Sequence, residues 1–144
     1  MFIVVNIGDV VGYSDCGYFF NKNKTGIRDN ALRTVESDCS IEFENDMDLI
    51  CITYENSDNS QEFDVFENHE VSDDWKCLLI DWHCFDGIES TVREFDSAIE
   101  AKEKMELEVA ELGGEIELKS DNKIVVDAGN EWVGWRILTR EEVE

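Results

Sequence analysis

Cys39-Ser40-Ile41-Glu42-Phe43-Glu44 alternates apolar and polar side chains with a period of two, the pattern of a strand with one face on a core and the other in water. On this reading Cys39, Ile41 and Phe43 face inward, while Glu42 and Glu44 face outward. The pattern extends downstream. Leu49 to Tyr54 is a short apolar strand, and Asn56-Ser57-Asp58-Asn59-Ser60 is the turn after it. Gln61-Glu62-Phe63-Asp64-Val65 resumes the alternation with Glu62 and Asp64 outward. Trp75 to Trp82 is more continuously apolar and predicts a central strand.

A change of period follows. Thr91 and Glu94 fit a capping box, Gly113-Gly114 closes the run, and the spacing predicts one principal long helix over about 91–112. Phe95, Ala98, Met105, Val109 and Leu112 form its apolar stripe, with Ile99 beside it. Beyond Gly114, Glu115–Lys119, Lys123–Asp127 and Glu131–Leu138 read as a C-terminal β-hairpin or three-stranded meander, and 139–144 as a frayed tail. Phe2–Ile7 is a further strand, expected in or beside that C-terminal sheet. Residues 8–33, rich in Gly, Asn and polar side chains, fit no clear element. The sum is a single compact acidic α+β domain over 1–144, with a mostly antiparallel β-sheet packed against the one helix.

A chain of 144 residues is long enough for a real core, and an apolar fraction of 42% fits a folded protein better than an acidic tail. Its net charge is -23, but the charge is segregated. Residues 1–33 hold Asp9, Asp15 and Asp29 against Lys22, Lys24, Arg28 and Arg33. From Thr34 to Trp75 there are fourteen acids and neither Lys nor Arg. Such a surface disfavours direct nucleic-acid binding and docking on anionic membranes. Phe2–Ile7 is too short to span a bilayer and lacks the flanks of a signal peptide. Five dispersed cysteines fit reduced thiols better than a disulfide framework. The expected location is therefore the cytoplasm, or the host-cell cytoplasm if the protein is phage-encoded.

Motifs for chemistry are weak. Carboxylate pairs are inevitable at this acidity and do not single out an acid and a base. Cys77, His83 and Cys84 are compact, but they lack a second ligand pair and read as core cysteines beside a surface histidine. Gly8, Gly12 and Gly17 follow a strand without the spacing of a phosphate-binding turn. The twelve-residue calcium-loop pattern is missing. No catalytic residue, metal or cofactor is assigned, and the expectation is a protein that is not an enzyme.

Charge pattern carries the functional reading. Glu42, Glu44, Asp46, Asp48, Glu62, Asp64, Glu67, Asp73 and Asp74 are candidate partner-binding acids, with Glu100, Glu103 and Glu106 as a second row on the helix. Rows of carboxylates on strands and helices accept the Arg and Lys hydrogen bonds that phosphates otherwise take. In size and charge distribution, though in no motif, the chain resembles the small acidic DNA-mimic inhibitors that phages and mobile elements use against restriction enzymes and CRISPR effectors. The resemblance implies a DNA/RNA mimic that binds a basic nucleic-acid-binding protein or nucleoprotein complex. Two other readings stay open. One is an interaction or assembly module, homodimeric or not, using Tyr18, Phe19 and Trp132 as aromatic anchors. The other is a small ligand-binding domain or enzyme using the glycine-rich opening.

Overall fold

The strand reading of Cys39–Glu44 holds, and nine further strands and three helices accompany it among the described residues. The computed structural model describes residues 1–8, 15–34, 39–44, 48–55, 61–84 and 88–143. They belong to two compact units, Met1–Val71 and Ser72–Glu144, each with its own five-stranded antiparallel sheet. The mixed α+β class is therefore correct, but it is distributed over two sheets.

In the first unit, β1 (Phe2–Gly8), β2 (Gly17–Asn21), α1 (Gly26–Thr34), β3 (Cys39–Glu44), β4 (Leu49–Glu55) and β5 (Gln61–Glu70) follow in chain order. The sheet runs β2-β1-β5-β4-β3. The opening strand thus pairs with β2 and β5, not with the C-terminal strands as the sequence suggested. Its near-continuous apolar run suits an interior strand with both faces buried. On one side of the sheet α1 sets Ile27 and Ala31, one helical turn apart, against Val4, Ile50, Ile52 and Phe66.

In the second unit, β6 (Cys77–Cys84), β7 (Glu89–Phe95), α2 (Ala98–Leu112), β8 (Glu115–Lys119), β9 (Lys123–Asp127) and β10 (Trp132–Thr139) precede a short helix, α3 (Arg140–Val143). The sheet order is β7-β6-β10-β9-β8, which includes the expected meander β8-β9-β10. The helix expected over 91–112 is shorter. Residues 89–95 form β7, where β-branched Thr91 and Val92 and the aromatic Phe95 favour a pleated strand. The actual cap is Ser97, which is extended and accepts a hydrogen bond from the Glu100 backbone N–H at 3.3 Å. At the other end Gly113 takes the left-handed conformation (φ 71°), and its N–H donates to the Val109 carbonyl. Ala101 and Met105 pack on Leu79, Ile124, Val126, Val133, Trp135 and Ile137, with Phe95, Val109 and Leu112 at the margin. Ala98, placed in the apolar stripe by its spacing, is exposed, and Ile99 is 72% exposed.

The tail does not simply fray. Its α3 begins with Arg140, whose guanidinium lies 4.9 Å from the Trp75 ring centre and donates to the Trp75 carbonyl at 3.3 Å.

Candidate functional site

The register of the first sheet decides which acids share a surface. Glu42 is paired with Cys51 and Glu44 with Leu49, while Leu49 is in turn paired with Glu67. Paired residues point to the same side of a sheet, so Glu42, Glu44 and Glu67 share the face opposite α1. They converge on Cys51. Burial and then the charges of Glu44, Glu42 and Glu67 push that thiol up from its ordinary value, so it stays protonated. Such an environment is the reverse of the one that activates a cysteine nucleophile. Glu42 and Glu44 are exposed, and Glu67 is half-buried with its carboxylate 3.8 Å from His69 Nε2. Burial pulls the His69 pKa down, and Asp48 opposes that shift.

Other predicted acids have different surroundings. Asp64 is fully buried, not outward. It is paired with Ile52 and Gly8 on the α1 side, the side of Phe66, because an interior strand with both faces covered does not separate core from solvent by alternation. Asp48 is part-neutralised by Lys24 at 3.2 Å. Glu62 lies on β5, and its side chain, like Asp46 altogether, is outside the described residues, as are Gly12 and the 56–60 turn. In the second unit Asp73 and Asp74 are exposed just before β6, and Glu100, Glu103 and Glu106 are exposed along α2. Glu103 and Glu106 share a solvent-facing stripe with Ile99 and Leu107. Of the aromatic candidates, Phe19 is exposed, whereas Tyr18 and Trp132 are half-buried. Tyr18 packs edge-on against Phe20, with ring centres 5.9 Å apart.

One polar constellation was not foreseen. On the α2 side of the second sheet, Arg93 forms a bidentate pair with Glu108 at 2.6 and 2.7 Å and reaches Asp81 at 3.3 Å. The Trp135 indole N–H donates to Glu108 at 3.1 Å, and the Thr91 hydroxyl donates to Asp81 at 3.0 Å. His83 lies between Asp81 (3.4 Å) and Glu131 (3.5 Å). Burial pushes the Asp81 carboxyl up from its ordinary value, against the opposing effects of Thr91, Arg93 and His83. The hydrogen bonds from Arg93, with those from Trp135, pull Glu108 down. The signal was present in the alternation of Thr91, Arg93 and Phe95, but the helical reading of 91–112 concealed it.

Chemically this network ties α2 to β6, β7 and β10. The Thr91 hydroxyl is engaged by Asp81, not by His83, so the two do not form a nucleophile–base pair. None of the five cysteines is in a disulfide. Cys77 faces the α2 core, while consecutive His83 and Cys84 turn to opposite faces of β6. Among the described residues no group of three or more His, Cys, Asp or Glu side chains is placed to hold a metal ion, and no helix is long and apolar enough to cross a membrane.

Comparison with protein-family models gives no match, and neither do comparisons with characterised proteins and with solved structures.

Proposed function

We propose that the chain is a non-enzymatic inhibitor that binds a basic nucleic-acid-binding protein or effector complex as a DNA/RNA mimic, of the kind used in phage or mobile-element counter-defence such as anti-CRISPR or anti-restriction. The observation that supports this reading most is the convergence of Glu42, Glu44 and Glu67 around Cys51 on one sheet face. Glu42 and Glu44 stand about 6.6–6.8 Å apart along β3, a spacing of the same order as that of backbone phosphates. The exposed row Glu100, Glu103 and Glu106 gives the second unit a carboxylate ladder of its own, with neighbours at about 5–6 Å. Carboxylates held by a sheet or a helix need little reordering to meet Arg and Lys, and opposite fields speed the encounter.

Asp64 is not part of this surface, and Asp48 contributes less charge than its sequence position suggests. Reversing Glu42, Glu44 and Glu67 to Lys is expected to weaken partner binding far more than reversing Glu141 and Glu142. Each single reversal at a close charge pair should change affinity by about tenfold or more. Equal effects from the two sets would indicate bulk charge in place of a shaped face. The experiment requires titration of each variant against a purified basic effector, with folding checked by circular dichroism.

A further inference from the structure

Glu42 and Glu44 are carried by β3, beyond which no further strand pairs among the described residues. β3 ends the sheet order β2-β1-β5-β4-β3, and its six residues are all exposed or half-exposed. Alternate residues of an edge strand turn their backbone N–H and C=O groups away from the sheet, which makes a template for one more strand. The two faces of β3 differ in chemistry. Ser40, Glu42 and Glu44 lie on the face opposite α1, while Cys39, Ile41 and Phe43 lie on the α1 side, with Phe43 46% exposed at the rim.

A second copy of this chain is a poor occupant. Antiparallel β3–β3 pairings centred on Glu42 or on Phe43 set Glu42 opposite Glu42 or Glu44, and one centred on Ile41 sets Glu42 opposite Ser40 with the two Glu42 side chains diagonal to each other on one face. Like charges directly opposite one another destabilise such a pair. The same arrangement selects a different strand. A segment with Lys or Arg at alternate positions would set their Cβ atoms about 4.5–5.5 Å from those of Glu42 and Glu44, within reach of charge-assisted hydrogen bonds, and its intervening apolar side chains beside Ile41 and Phe43.

We infer that β3 is a docking edge that accepts, by strand addition, an extended segment of a partner protein alternating basic and apolar residues. The inference rests on the basic-partner reading above and adds the mode of contact: backbone pairing along β3, with the carboxylates fixing register.

The test uses the full chain and a short capped peptide alternating Arg and Val. Two control peptides accompany it: one of the same composition with the Arg residues in a block, and one N-methylated on the backbone groups that would face β3. Binding is measured by titration, and β3 protection by amide hydrogen exchange. The alternating peptide is expected to protect β3 amides and to bind about tenfold or more tightly than either control, since methylation removes at least two hydrogen bonds. E42K/E44K, at exposed positions, is expected to abolish the protection. Equal binding of the methylated peptide, or protection confined to other strands, would overturn strand addition. If that happens while the chain still displaces DNA from a basic effector, the acidic-face reading survives without the docking edge. If the chain displaces no DNA while the peptide protects β3, the edge stands and the mimic reading fails.

Discussion

Glu42, Glu44 and Asp64 come from similar alternating stretches, yet the first two are exposed and the third is fully buried. Alternation identified two faces in both stretches; only at the sheet's edge was the polar face the wet one. Asp64→Lys is therefore expected to unfold the first unit, losing stability by several kcal/mol as an uncompensated buried charge, whereas Glu42→Lys should stay within about 0.5 kcal/mol of the parent. Chemical denaturation of the two variants checks this contrast. In the second unit, Asp81 and Glu108 respond to acid with opposite signs. Glu108 has a depressed folded pKa, so its contribution is present above its unfolded pKa and lost as pH falls through the folded one. Asp81 has a raised folded pKa, so its charged form opposes folding, and that penalty is relieved as pH falls through the folded pKa toward the unfolded one. In denaturation midpoints measured against pH, Glu108→Gln should flatten the loss at the acid end. Asp81→Asn should remove the gain that precedes it on descending pH.

The elements were legible where one period dominated and capping was unambiguous. β3, β4 and the β8-β9-β10 meander follow directly from alternation and turn residues. The capping box read at Thr91 misled because β7 fills the six residues between it and the actual cap, Ser97. β2 and α1 were missed because their polar, Asn- and Gly-rich surroundings hide the short Ile27–Ala31 pair that anchors the helix. The alternation of Thr91, Arg93 and Phe95 places Arg93 on a strand face, but its partners in the network follow only from the register of β6 and β7. Two substitutions measure what holds α2. Met105→Ala should lower stability by about 2–5 kcal/mol because Met105 is fully buried in the second core. Ser97→Ala should lower it by about 1 kcal/mol through the lost cap. Gly134→Ala is a packing test on β10, since a Cβ there would meet the Trp82 ring at 2.1 Å. A loss of about 1–3 kcal/mol is expected from this overpacking. Thermal or urea unfolding of the three variants reads all these values.

For the molecule as a whole, a net charge of -23 governs long-range encounter more than it governs fold. Twelve of the fourteen acids between Thr34 and Trp75 lie in the first unit and give it most of its own negative charge, and among the described residues only part of that charge sits on a presented face. On the proposed reading the partner brings a basic surface shaped for phosphates, and its affinity for this chain is expected to fall with salt as cations and carboxylates are screened. The direct measurement is competition with DNA for a purified basic effector, across a series of salt concentrations. The mimic account predicts that the chain displaces DNA stoichiometrically, that displacement weakens as salt rises, and that Glu42→Lys/Glu44→Lys loses it. Full simultaneous binding of DNA and the chain to the same effector would contradict the account.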